Sequence, residues 1–308
     1  MIKYNPKKWF LPIVQFHKSD TLRILFPSMI VIGIYTAIVT YIALNALDLK
    51  AVSTTAVHAL LGTVLGLVLV FRSNSAYERW WEGRKLWGAL VNESRSIAIK
   101  INSFLPDTET KPRIFFAKSI ANYVYALKGH LRNKVNLSEL EDTESLTLEE
   151  LGQAKHVPNM IANSIYGQII HLYRQKFISG EQLIILDKEI KSFTDIVGAC
   201  ERIKNTPIPY SYSMFMKKFI FIYTMTMPLG FITTFAYWTI PIVMLVFYIL
   251  VSIELIAEEI EDPFGMDSND LPMEEMSLRI KHNVREILLK RDILVHAKPG
   301  SPHQVAQA

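Results

Sequence analysis

The sequence is almost without cysteine. Its 308 residues hold one, Cys200, which excludes an intrachain disulfide framework and reads as a buried structural thiol. Catalytic signatures are missing as well. There is no His-Glu-x-x-His pair, no glycine-rich phosphate loop and no plausible Ser/His/Asp set. The eight histidines are scattered without metal-ligand spacing. These absences argue against an enzyme. A net charge of +4 is too modest to point to nucleic acid as a partner. No internal repeat is evident. No cleavable signal peptide is expected, because the first apolar stretch is too long and starts too far in.

Charge is also missing from long blocks. Ile24 to Leu47 carries none, Ala51 to Phe71 none beyond a titratable His58, and Phe219 to Ile253 none. About 20 apolar residues suffice to cross roughly 30 Å of hydrocarbon. The first two blocks each fit one span. The third would be about 50 Å long as a single helix, so it is expected to turn back near Tyr237, Trp238 and Pro241. Four spans follow, at about 24–47, 51–71, 219–236 and 240–256, with the other outer turn at Asn45–Lys50. Basic residues flank them: Lys3, Lys7, Lys8, Lys18 and Arg23, then Arg72, Arg79, Arg84 and Lys85, then Lys217 and Lys218. Positive flanks mark the cytoplasmic side. Both termini and the middle region are therefore expected there, in an integral protein of the lipid bilayer.

The middle region, 73–215, reads as soluble and mostly helical. Arg72–Phe104 holds no proline, and Pro106 ends it. Residues 112–132, Met160–Ile178 and Glu181–Arg202 give further helical patterns. Asn136–Glu150 reads as an acidic loop with a short helix. Pro207 and Pro209 break the chain before the third span. Residues 1–20 form a basic entry segment with Trp9 and Phe10, 257–308 form the C-terminal segment, and the polar tail from Lys298 is expected to be disordered. Two spans make a poor bundle alone, so one continuous all-helical unit over 1–308 is expected.

Three groups of residues stand out. The second span is the most polar, with Ser53, Thr54, Thr55, His58 and Thr63. Its Gly62-x-x-x-Gly66 reads as close helix packing. Thr63, Leu67 and Phe71 share one helical face, which in a ring of subunits would line an apolar constriction. His58 reads equally as a pore residue or as a satisfied polar group. After this span, Phe71 to Gly88 holds three of the five tryptophans among several arginines, which an interfacial belt only partly explains. After the fourth span come Glu254, Glu258, Glu259, Glu261, Asp262, Asp267 and Asp270. These carboxylates read as a solvated acidic helix end or as oxygen ligands for Ca²⁺, without the spacing of an EF-hand loop.

The motif Arg79-Trp80-Trp81 after a span, joined to Asp262-Pro263-Phe264-Gly265 and Asp267-x-x-Asp270 after the last one, resembles the bestrophins. Phe71-Arg72-x-Asn74-x-Ala76-Tyr77-x-Arg79-Trp80-Trp81-Glu82 is similar to the prokaryotic branch. The resemblance covers roughly residues 5–290. It implies an all-α channel subunit, four spans and a cytoplasmic helical body, assembled with itself as a homopentamer around a central pore. It implies a bacterial inner membrane as its place. The family's apolar neck falls on Thr63, Leu67 and Phe71, where Thr63 departs from the usual bulky apolar residue. The cytoplasmic aperture falls near Glu181, Ile184 and Ile185. The Ca²⁺ clasp of animal members falls on Glu259, Asp262, Asp267 and Asp270, with backbone oxygens from the N-terminal segment. Prokaryotic members can keep the acids without needing Ca²⁺, so no cofactor is required and Ca²⁺ is optional.

The function these readings imply is passive conduction of monovalent ions. Family membership points to chloride and other anions, whereas the prokaryotic motif form and a ring of Glu181 carboxylates point to sodium and other monovalent cations. An ion-coupled transporter would bury carboxylates or broken helices at mid-membrane, of which only Pro228 and Gly230 give a hint. A membrane-anchored scaffold is the remaining alternative.

Overall fold

The computed structural model describes residues 20–45 and 55–296. The entry segment with Trp9 and Phe10, residues 46–50 of the first outer turn, Ser53, Thr54 and the tail from Lys298 lie outside them. Every regular element described is helical. In chain order these are α1 (Asp20–Asn45), α2 (Thr55–Phe104), α3 (Thr110–Leu131), a 3₁₀ turn (Leu137–Glu139), α4 (Leu148–Gln153), α5 (Val157–Arg174), α6 (Gly180–Asn205), α7 (Tyr210–Phe235), a second 3₁₀ turn (Ala236–Trp238), α8 (Thr239–Glu261) and α9 (Met273–His296). The chain packs as two compact units. The first is Met1–Glu82 with Thr206–Asp270, and the second is Gly83–Asn205 with Leu271–Ala308.

The first unit holds the apolar helices. Three stretches are long and apolar enough to cross a membrane: Thr21–Asn45, the helix Thr55–Phe104 and Tyr210–Glu261. The last folds back on itself, as its length required. Ala236, with φ of 46°, and the turn Ala236–Trp238 reverse the chain, and α8 follows at Thr239. Asn45 Nδ2 donates to the Tyr237 hydroxyl at 3.2 Å, so α1 ends beside this turn. The core comprises Ile32, Leu65, Leu69, Met216, Ile220, Tyr223, Met227 and Val243.

Polar groups inside this unit are matched locally, as a low-dielectric setting demands. Tyr35 donates to the Met225 carbonyl at 2.9 Å, one turn before Pro228 in α7. Thr55 Oγ1 donates to the Gly230 carbonyl at 2.7 Å. Gly62 is a point of close approach, since a Cβ there would stand 2.7 Å from the Tyr223 hydroxyl, whereas a Cβ at Gly66 meets nothing within 4 Å. The packing reading of the Gly-x-x-x-Gly pair therefore holds at one glycine only.

Two boundaries differ from expectation. The second span and the following helix are one helix of 50 residues, α2, about 75 Å long. Nothing stops it, because no proline lies between Ala51 and Phe104. Helix α7 starts at Tyr210 rather than 219, directly after Pro209, which has no N–H to lose at a helix start.

The second unit is built around α3. Most of its residues from Pro112 to Leu131 are buried, among them Phe116, Tyr123, Val124 and Leu127. A helix buried nearly all round is a core element rather than a surface one. It packs against α5, α6 and α9. The Tyr123 hydroxyl donates to the Phe193 carbonyl at 2.7 Å, and the two rings stack 4.9 Å apart. Cys200 is fully buried on α6, as a structural thiol should be. Helix α9 was not anticipated. Lys281 and Arg285 bind it to Glu141, while Lys128 bridges Glu139 and Glu274. A capping box of Thr147 and Glu150 starts α4.

Candidate functional site

The first turns of α2 have one packed face and one open face. His58, Leu65, Leu69, Arg72 and Ala76 recur at helical spacing and are all buried. The opposite face carries Leu60, Thr63, Leu67 and Phe71, then Asn74 and Glu78, all exposed. Leu67 is 58% exposed and Phe71 66%. The Thr63 hydroxyl donates back to the Ala59 carbonyl at 2.9 Å, so it has a partner within its own helix. The three expected neck residues thus lie together on a face that stays exposed among the described residues. His58 does not join them. Its Nε2 lies 3.3 Å from Thr226 Oγ1, its ring meets Tyr223 and Phe231, and a Cβ on Gly230 would press on it at 2.7 Å. It is a packed polar group between α2 and α7.

At the end of the uncharged run, Arg72 is 1% exposed and lies between two carboxylates of α8. Its Nη2 donates to Glu261 Oε2 at 2.7 Å and its Nε to Glu254 Oε1 at 3.5 Å. The other Glu261 oxygen accepts the Ile208 N–H at 2.7 Å. Two turns further along α2, Arg79 Nε donates to the Glu261 carbonyl at 3.0 Å and its Nη1 to the Thr206 carbonyl. Trp80 stacks on Tyr77 and donates through Nε1 to the Asn269 carbonyl at 3.0 Å, while Trp81 is exposed. The two motifs that stood far apart in sequence are thus one constellation. Phe264 at its centre is fully buried.

The acidic segment is engaged with itself. Glu259 Oε1 accepts from Ser268 Oγ and the Asn269 N–H, both at 3.2 Å. Asp262 Oδ1 accepts the Phe264 N–H at 3.3 Å, and Asp270 Oδ2 the Asp267 N–H at 2.7 Å. Asp270 is buried, and its Oδ1 has no hydrogen-bond partner. Glu258, Glu259, Asp267 and Ser268 line an open cleft of about 410 Å³ with Thr21 and Ile24 of α1. The carboxylates of Glu259, Asp262, Asp267 and Asp270 do not converge within the reach of one ion among the described residues. The N-terminal backbone oxygens of the expected clasp lie outside those residues.

Burial is the largest influence on the Asp270 carboxyl, and it raises the pKa. The Asp267 N–H bond pulls it down, but the charges of Asp267, Asp262 and Glu259 add to the rise, and the result is about 6. In the second unit, Glu181 opens α6 as an exposed residue. The Ser179 hydroxyl donates to it at 2.6 Å and holds its carboxyl below the ordinary range. Ile184 and Ile185 are exposed on the next turn, at 71% and 42%.

Residues 1–286 match the family model described as Bacterial/Fungal Bestrophin protein. The chain belongs to the bestrophin family. A voltage-dependent anion channel-forming protein of Nostoc sp. is 36% identical over 228 residues, spanning 73% of this chain and 74% of that one. One from Salmonella typhi, YneE, is 27% identical over 99% of this chain and 100% of its own. The crystal structure of a bacterial bestrophin homologue from Klebsiella pneumoniae superposes with a TM-score of 0.79. It covers 86% of this chain and 98% of its own at 24% identity, which supports the fold. This bestrophin is accordingly an integral membrane protein with an all-α fold.

Two features escaped the sequence reading. The acids Glu254 and Glu261 were read within a run that suits either a solvated helix end or a cation, but their partner is Arg72, nearly two hundred positions away. The histidines showed no spacing, yet His130, His156 and Glu201 meet in the second unit. Neither contact leaves a local signal, because each joins helices distant in the chain.

Replacing Arg72 by Met leaves Glu254 and Glu261 buried without their counter-charge. The expected cost is about 3–5 kcal/mol, seen as a lowered unfolding temperature in detergent. An unchanged transition would show that the cluster does not hold the first unit together. For Asp270, the folded pKa of about 6 stands above the ordinary 3.8. The folded state therefore holds the extra proton between these values. Its contribution to stability is full below the lower pKa and is lost as pH rises through about 6. Asp270→Asn is expected to flatten the change in unfolding temperature between these pH values and to raise it at neutral pH.

Proposed function

We propose that this bestrophin assembles as a homopentamer in the bacterial inner membrane and passively conducts monovalent ions through a hydrophobic neck. The observation that carries this reading is the open face of α2. A spanning helix packs one side against its own chain and leaves Leu60, Thr63, Leu67 and Phe71 bare on the other. Five copies would bring five such faces around a common axis. The aliphatic and aromatic side chains would then form a constriction that gates by dewetting. Ionisable groups are nearly absent from the spans, as passive conduction allows and ion coupling does not. The basic flanks put both termini and the second unit on the cytoplasmic side.

Anion conduction, chloride above all, is the leading reading, supported by the names carried by the relatives from Nostoc and Salmonella. A specific observation favours the cation reading as well. Glu181 is exposed and held ionised by Ser179, and five such carboxylates at a cytoplasmic aperture with Ile184 and Ile185 would attract sodium. Conduction requires no Ca²⁺ in this proposal, a reading supported by the bonds that Glu259, Asp262 and one oxygen of Asp270 already accept from N–H and hydroxyl groups of the segment itself.

Purified protein in planar bilayers tests both parts. The double variant Leu67→Ala with Phe71→Ala is expected to raise unitary current several-fold. Unchanged current, or a complex that stays monomeric in mild detergent, would remove these residues from a pore. The reversal potential in asymmetric NaCl gives the sign of the permeant ion directly, and a cation-type value would replace the leading reading by the second.

A further inference from the structure

Outside the pore face, the second unit gathers three side chains whose chemistry the channel does not use. His130 lies in the last turn of α3, His156 is the N-cap of α5, and Glu201 stands near the end of α6. His130 Nε2 is 2.6 Å from Glu201 Oε1, and His156 Nε2 is 2.7 Å from the same oxygen. The two rings lie 4.4 Å apart. All three candidate donor atoms fall within 4.8 Å of one another.

Two imidazoles and a carboxylate suit a zinc-class ion, which takes nitrogen and oxygen ligands and commonly leaves one position to water. Hard cations such as Ca²⁺ take oxygen ligands and would not select the imidazoles. Each side chain is about seven-tenths covered, so the donors are partly fixed but still reachable. His130 borders a cleft of about 500 Å³, and Glu201 borders a second one of about 470 Å³. Solvent therefore reaches the cluster from either side. The Glu201 carboxyl is ready to act as a ligand. Burial would raise its pKa, but the hydrogen bonds from His156 and His130 outweigh that and hold it low.

We propose that His130, His156 and Glu201 are the three protein ligands of a divalent transition-metal site that ties α3, α5 and α6 together. The proton balance is definite. His156 Nδ1 now accepts the Asn159 N–H at 3.1 Å, so its proton sits on Nε2 and points at Glu201. The metal takes an Nε2 lone pair from each ring, so the proton between His156 Nε2 and Glu201 moves to Nδ1 of that ring, and any proton between His130 Nε2 and the same oxygen moves to its own Nδ1 or leaves to solvent. The bond from Asn159 is then given up, and the first turn of α5 loses its cap while three helices gain a common anchor.

The test uses the full-length, tag-free protein in detergent, stripped of metal and titrated with Co²⁺ and then Zn²⁺. Expected are one Co²⁺ per chain with a visible ligand-field spectrum, displacement of that spectrum by Zn²⁺, and a rise in unfolding temperature with Zn²⁺. Two variants keep the fold while removing a ligand. His156→Asn retains a good N-cap residue, and Glu201→Gln retains the shape and a hydrogen-bond acceptor. Each is expected to weaken Co²⁺ binding at least about ten-fold and to abolish the Zn²⁺-dependent rise. A spectrum that is absent in the parent protein, or unchanged in both variants, would overturn the site.

Discussion

A single buried guanidinium fixes the membrane half of this protein. Arg72 ends the uncharged run of α2, and it is held there by Glu261 and Glu254 on α8. A charge taken so far from water is tolerable only when it is paired, so the helices that carry the partners have one register in which the chain can fold. Glu261 then extends the constraint. Its second oxygen captures the Ile208 N–H, and its carbonyl takes Arg79. The segment entering α7, the end of α8 and the middle of α2 are thereby set by one residue pair. Such a cluster contributes geometry more than net stability, since Arg72 Nη1 and Glu254 Oε2 find no hydrogen-bond partner among the described residues.

With that register in place, the two faces of α2 follow. The side that holds Arg72 also holds His58, Leu65, Leu69 and Ala76, and it is used up by packing within the chain. The side that remains is the apolar row that begins at Leu60 and ends at Phe71. The position of the open face is in this sense a consequence of where the buried arginine had to go. The Arg-Trp-Trp segment completes the arrangement, with Trp80 stacked on Tyr77 and bonded to the Asn269 carbonyl.

Much of this was legible in the sequence because it follows from one-dimensional patterns. Uncharged runs located the apolar helices, Tyr237 and Trp238 marked the reversal, and the spacing of Thr63, Leu67 and Phe71 placed them on one face. Prolines at 106 and 209 marked ends correctly. The unbroken α2 was harder to see, because a change from apolar to polar composition at Arg72 looks like a boundary although the backbone has no reason to stop. Contacts between distant helices were not legible. Glu261 read as part of a solvated or cation-binding acidic run until its arginine was visible. His130, His156 and Glu201 share no periodicity, and only the packing of α3 against α5 and α6 brings them together. Helix α9 was hidden by its polarity, since its hold on the second unit includes Lys281 and Arg285 on Glu141 and Glu274 on Lys128 beside its apolar contacts.

The hydroxyl of Thr63 gives the open face a property that its bulkier neighbours lack. A threonine in a helix has two accessible χ1 states, because its oxygen can bond the carbonyl one turn back. In the state observed, that bond is made to Ala59. A rotation about one bond would release the oxygen and change how the side chain meets water, without displacing any backbone atom. The wettability of that level of the helix is therefore set by a torsion rather than by a volume, and a ring of such residues would hold one two-position element per subunit.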